Sequence, residues 1–153
     1  MLRFQTTARL AMIAIIAATV AACDTLGSRG LIASTAPADL SPTAAGAIAS
    51  DMVSSFAENV GPGTNTIFLK SDGSAFAPAL EAALKGRGYA VITDQPADKT
   101  RATALSYVVD ESEGGVLVRL STAALDLGRI YQATATGAQP TGPLSVTLHG
   151  TPA

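Results

Sequence analysis

An uncharged run, LAMIAIIAATVAA (Leu10–Ala22), ends at Cys23, the one cysteine of the chain. That feature sets how much of the chain is left to fold. The run follows MLRFQTTAR, which carries Arg3 and Arg9 and no acid. A basic start, an apolar stretch of roughly 7–15 residues and small residues at its end make a secretory leader that is removed. A bilayer-spanning helix needs about 20 apolar residues, more than this run supplies. Residues 1–22 are therefore set apart from the fold. A lone cysteine also excludes an intramolecular disulfide framework. With His149 as the one histidine, it makes a poor zinc set.

The residues at the boundary refine this reading. Val20-Ala21-Ala22-Cys23 resembles a bacterial lipobox. In such a site the thiol takes a diacylglyceryl thioether, and small residues before it let the extended backbone enter a peptidase. Cys23 then becomes the first mature residue, and its free amine takes an N-acyl chain. No other cofactor is expected. Two or three acyl chains hold a protein firmly to a bilayer, at about 0.8 kcal/mol per buried CH₂. An ordinary leader with a chance cysteine, or an uncleaved anchor, would use the same residues. Asp24 is a candidate sorting signal, because an aspartate after the lipidated cysteine accompanies inner-membrane retention in enteric bacteria. The choice of membrane stays open.

Residues 23–153 suffice for one compact domain. Of 10 basic and 12 acidic residues, Arg3 and Arg9 belong to the leader, which leaves 8 against 12. The remaining basic residues are scattered, whereas nucleic-acid binding needs them clustered. Direct nucleic-acid contact is not expected. Tryptophan is absent, which weighs against an aromatic carbohydrate cleft.

Residues 23–39 are small and polar and read as a lipidated N-terminus and flexible tether, in which Leu31-Ile32 is a candidate docking point. The body, residues 40–150, opens with a helix. Ser41 is its N-cap and Pro42 its first residue. Ala45, Ile48, Ala49, Met52, Val53, Phe56 and Val60 recur at helical spacing, and Gly61-Pro62-Gly63 stops it. That stripe suits a core-facing helix; a partner groove could also take it. Thr64–Lys70 is a strand. Ser74–Gly88 is a second helix, with Phe76, Leu80, Ala83 and Leu84 on one face and Pro78 confined to its first turn. Tyr89–Thr93 is a strand and residues 94–100 a polar loop. Ala102–Asp110 and Val116–Ser121 are strands joined at Glu111–Gly114. Ala124–Leu127 is a short strand or a turn, Gly128–Gly137 a strand, Gln139–Pro143 a turn and Leu144–His149 a last strand. The fold expected is α+β: two helices packed on a mainly antiparallel sheet.

Chemistry is sparse. Asp110, Glu111 and Glu113 cluster, and paired carboxylates can hydrolyse glycosides; acids at a hairpin tip also discourage edge aggregation. His149 lacks an evident nucleophile and orienting acid, and no G-x-S-x-G occurs. Gly61-Pro62-Gly63 and Gly86-Arg87-Gly88 do not complete a phosphate loop. No catalytic residue, metal ligand or small-molecule substrate is expected, and the protein reads as a non-enzyme.

The segments GPGTNTIFLKSDGSAFAPALEAALKGRGYAVITD, LSYVVDESEGGVLVRLST and LGRIYQATATGAQPTGPLSV resemble the TrbH family of conjugal transfer lipoproteins, across roughly residues 20–150. The resemblance implies a structural, non-enzymatic component of a type IV secretion apparatus for plasmid transfer. It implies a place in the bacterial cell envelope, lipid-anchored and facing the periplasm. Partners would be the membrane, through the lipid, and other transfer-channel subunits, bound noncovalently because Cys23 is occupied. The competing expectation is a general envelope lipoprotein assisting an unrelated outer-membrane assembly. A hydrolase using Asp110, Glu111 and Glu113 is a third.

Overall fold

The computed structural model of the protein describes residues 33–36, 40–61, 63, 65–93 and 102–150. Among them are two helices, α1 (Pro42–Val60) and α2 (Phe76–Gly86). Seven strands form one sheet: β1 (Thr66–Leu69), β2 (Ala90–Ile92), β3 (Ala102–Ser112), β4 (Gly115–Ser121), β5 (Leu125–Thr134), β6 (Gly137–Pro140) and β7 (Ser145–Leu148). The α+β expectation, with two helices on a mainly antiparallel sheet, holds.

The Ser41 hydroxyl accepts a hydrogen bond from the Ala44 N–H at 3.2 Å, which satisfies one of the orphan donors that every helix start leaves. Pro42 follows at the first helical position, where its missing N–H costs nothing. The apolar stripe buries Ala45, Ile48, Ala49, Met52, Val53 and Phe56, each no more than 1% exposed. Val60, which continues the stripe, stays exposed at the helix end. α2 starts two residues later than its sequence pattern suggests. Ala75 occupies the cap position without a side-chain hydrogen bond, and Ser74 serves the loop before it. Pro78 is then the third helical residue, within the tolerated first turn.

The strand order is β2-β1-β3-β4-β5-β6, with β7 also paired to β5. β1 pairs in parallel with β2 and β3, and every later pairing is antiparallel. Helix α2 is the crossover between the parallel strands β1 and β2. β5 carries two neighbours along one edge: Leu125–Gly128 pair with β7, and Tyr131–Thr134 pair with β6. Period-2 alternation sends Ile67, Leu69, Leu105, Tyr107, Val109, Val118, Leu120, Leu125, Leu127 and Tyr131 to one face, where they form the core with the helices. Phe76 of α2 meets Tyr107 edge-to-face at 5.1 Å, and Phe56 of α1 meets Tyr89 at 5.8 Å. The opposite face carries no helix among the described residues.

Three strand readings change by more than a trimmed end. β3 runs on to Ser112, so only Glu113-Gly114 turn the chain. Gly114 takes the positive φ of 82° that this two-residue turn needs. A Cβ on the next residue, Gly115, would collide with the Tyr131 carbonyl oxygen, so the hairpin base admits only glycine. Second, the pieces read at Ala124–Leu127 and Gly128–Gly137 join into one strand, β5 (Leu125–Thr134), while Ala135 and Thr136 turn the chain and Gly137 opens β6. Third, the turn expected over Gln139–Pro143 is half strand: β6 ends at Pro140, whose lack of an N–H is tolerated at a strand end.

The expected tether, residues 23–39, lies outside the described residues except for Ala33–Ala36, and that short piece is part of the sheet. Thr35 pairs in parallel with Val108. Its N–H donates to the Tyr107 carbonyl at 3.1 Å, and its carbonyl accepts from the Val109 N–H at 2.8 Å. The buried Ser34 hydroxyl accepts from the Tyr107 N–H at 3.2 Å. β1 pairs with β3 only as far as Leu105, so this strap occupies the edge that β1 leaves vacant. The loop expected at residues 94–100 lies outside the described residues.

Phe56 fills the seam between α1 and Tyr89, so Phe56→Ala leaves a cavity and is expected to cost about 3–5 kcal/mol. Ser41→Ala removes one cap bond and is expected to cost about 1 kcal/mol. The difference in urea midpoint between the two variants checks the ranking.

Candidate functional site

Two inward tyrosines anchor the polar groups of the core, because a buried phenol must find a hydrogen-bond partner. Tyr131 of β5 donates from its hydroxyl to Asp51 Oδ2 on α1 at 2.6 Å. Arg129, two residues earlier on the same face, donates from Nη1 to the same oxygen at 2.8 Å and from Nε to the Gly142 carbonyl at 3.2 Å. One carboxylate thus ties the middle of α1 to β5, and one guanidinium ties β5 to the β6–β7 connection. Burial, then the bond to Asp51, pushes the Tyr131 phenol far above its ordinary range. The bond to Asp51 raises the Arg129 guanidinium further.

The second anchor is Tyr107 of β3. Its hydroxyl donates to Asp72 Oδ1 and accepts from the Asp72 N–H at 3.3 Å. Asp72 Oδ1 also accepts from the Ser74 N–H at 2.9 Å. Burial and the bond to Asp72 push the Tyr107 phenol up to about 12. Burial raises the Asp72 carboxyl, but hydrogen bonds from Ser74 and Tyr107 outweigh it and hold the group below its ordinary 3.8. The loop between β1 and α2 is locked by this triangle, and Ser74 is recruited into it.

The residues singled out for chemistry lie apart. Asp110 and Glu111 on β3 and Glu113 in the hairpin turn are exposed. His149 follows β7, and its Nε2 lies 2.9 Å from Asp126 Oδ2 of β5. That is a histidine with a carboxylate partner and no hydroxyl hydrogen-bonded to it among the described residues. No group of three or more His, Cys, Asp or Glu able to hold a metal occurs among the described residues. Cys23 and Asp24 lie outside them.

The uncovered sheet face carries an open groove of about 480 Å³. Leu117 and Arg119 of β4, Gly128 and Ile130 of β5, and Ser145 and Thr147 of β7 line it. Gly128 sits directly opposite Arg119 in the β4–β5 register, so no side chain fills the floor beside the guanidinium. Arg119 is exposed and has no ion-pair partner among the described residues. Leu117 and Ile130 give it an apolar floor, and Arg119, the Asp126 carboxylate and the Ser145 and Thr147 hydroxyls give it a polar rim, a lining that suits contact with another molecule.

Comparison with known proteins supplies the kind of chain to which this body belongs. The model of the family described as conjugal transfer protein TrbH matches residues 26–150. The chain belongs to the TrbH family. A probable conjugal transfer protein TrbH of Sinorhizobium fredii (strain NBRC 101917 / NGR234) is 48% identical over 122 residues, covering 76% of this chain and 82% of the relative. No solved structure matches. The TrbH match spans both helices, the whole sheet and the strap, so the family resemblance read from the sequence holds for the complete described body.

Neither tyrosine anchor of this TrbH domain carries a motif of its own in the sequence. The available signal was parity: Tyr107 and Tyr131 share the alternation of the buried strand residues, which demands a buried partner for each hydroxyl. Their titration has a defined sign. Both phenols have folded values above the ordinary value of about 10, so their stabilisation is complete below that pH and is lost as pH rises toward the folded values. For Tyr107 the window is from about 10 to about 12. Asp72, with a lowered value, stabilises above its ordinary 3.8 and loses that contribution as pH falls through the folded value. Melting temperature measured against pH is expected to show a shallower alkaline limb in Tyr107→Phe and a shallower acid limb in Asp72→Asn.

Proposed function

We propose that the chain is a lipid-anchored envelope protein that serves as a structural subunit of a plasmid conjugal transfer apparatus of the type IV secretion kind. Residues 1–22 are the leader, Cys23 is the lipidated first residue of the mature protein, and the body beyond the connecting segment faces the periplasm. Asp24 is the candidate sorting signal. The observation that carries the reading is the lipobox Val20–Cys23, set three residues before the start of the family match at residue 26. A single thiol at that boundary has its use in the lipid. The body then acts by noncovalent contact with other subunits of the apparatus, without catalysis.

The strap supports an anchored arrangement. From Cys23 to Ala33, fully extended, the backbone reaches at most about 35 Å, so an anchored domain works close beside its membrane. No described helix is long and apolar enough to cross a bilayer, and the lipid would supply the attachment. The exposed placement of Asp110, Glu111 and Glu113 favours hairpin solubility over hydrolysis.

Cys23→Ser is expected to abolish incorporation of labelled palmitate and to leave the leader uncleaved. A mature, membrane-bound Cys23→Ser product would refute the anchor. The role is tested separately. Tagged protein purified in mild detergent from donor-cell envelopes is expected to bring transfer-channel subunits with it, and an in-frame deletion to reduce plasmid transfer. Recovery with an unrelated outer-membrane assembly, together with undiminished transfer, would make it a general envelope lipoprotein instead.

A further inference from the structure

β7 is an edge strand left without the devices that keep edges apart. Edges are commonly protected by charge, proline, a bulge or a covering element. Among the described residues Ser145-Val146-Thr147-Leu148 has none of these: it is uncharged, regular, and exposed along its whole length. Val146 is 43% and Leu148 73% exposed, the latter the most exposed large apolar side chain among the described residues. Both lie on the helix-bearing face, opposite the buried Leu127 and Leu125.

The backbone direction of each residue follows from the pairing. The His149 N–H donates to the Ala124 carbonyl at 2.8 Å. Successive residues of a strand turn their backbone groups to opposite sides, so Ser145 and Thr147 bond β5, while Val146 and Leu148 present their N–H and C=O groups to the open edge. The two residues with free backbone groups are also the two with exposed apolar side chains.

We propose that this edge pairs with the same edge of a second copy of the chain, antiparallel about a twofold axis at Thr147. In that register Val146 stands opposite Leu148 of the second copy and exchanges both backbone hydrogen bonds with it, and the twofold repeats the exchange. Four otherwise free donors are satisfied. The four apolar side chains meet on one face as two cross-strand pairs, the unit by which sheets are stabilised. Ser145 faces His149 of the second copy, so no like charges are opposed. The flanking geometry permits the approach. β6 pairs with the far end of β5, and the twofold carries β6 of the second copy to the other side of the joint, so neither copy's β6 obstructs β7. A second copy matches the edge completely, since Val146 meets Leu148 and Leu148 meets Val146, each bringing both an outward backbone pair and an exposed apolar side chain. A four-residue strand is far short of the roughly 20–30 residues a side of a stable interface, so the pairing is reversible.

The register gives a direct test. Thr147 and its mate form a non-hydrogen-bonded pair, with Cα atoms about 4.5 Å apart, within the disulfide range of about 4.4–6.8 Å. Full-length Thr147→Cys protein in mild detergent, treated with a gentle oxidant, is expected to give a covalent dimer that wild type, with Cys23 alone, does not give. Ser145→Cys in the same register faces His149 of the second copy, not its own mate, and is expected to stay monomeric. Adding Val146→Lys or Leu148→Lys to Thr147→Cys is expected to abolish the dimer. Both side chains are exposed, and circular dichroism verifies that these variants remain folded. Absence of a Thr147→Cys dimer, equal dimer from Ser145→Cys, dimers that survive both lysines, or cross-linking of the introduced thiol to a different protein only would each overturn the proposal.

Discussion

Burial of one sheet face under two helices is the constraint on which the rest depends. Ile48, Met52 and Phe56 on α1, and Phe76, Leu80 and Leu84 on α2, lose nearly all contact with water against alternate residues of the strands. Each fully buried side chain of this size contributes about 1.5–3 kcal/mol, so the layer outweighs any single polar contact. Directional bonds then choose the alignment that packing alone leaves loose. Asp51 sets α1 over β5 through Tyr131 and Arg129, and Asp72 sets the start of α2 over β3 through Tyr107. Among the described residues no buried side-chain polar atom lacks a partner, so the mixed core carries little desolvation penalty.

The helices were legible because their signals are local. Ser41-Pro42 and Gly61 bracket α1, and a 3.6-residue stripe fills the space between. The hairpin of β3 and β4 was legible for the same reason. What escaped was nonlocal. Gln139 and Pro140 read as turn residues by composition, yet pairing with Gln132 and Tyr131 makes them a strand. Residues 33–36 carry no strand pattern at all; they are held because β1 stops short of Val108 and leaves backbone groups to satisfy.

Site chemistry divides in the same way. The proposed lipid site is a contiguous motif and can be read directly. Asp51 and Arg129 are 78 positions apart, and Asp126 and His149 meet only because β7 folds back on β5. No spacing rule joins such pairs before the sheet register is known. The inward facing of the tyrosines was nevertheless present in the alternation of β3 and β5, although the groups that meet their hydroxyls were not.

The strap also decides how the domain meets mechanical load. Tension arriving from the N-terminal side of the chain reaches Ser34 and Thr35 before it reaches α1. The two backbone bonds of Thr35 to β3 must break before the pull is passed to Leu40 and the first turn of the helix. A few residues in the gap beside β1 therefore act as a shock absorber: they yield first, and the core behind them keeps its shape.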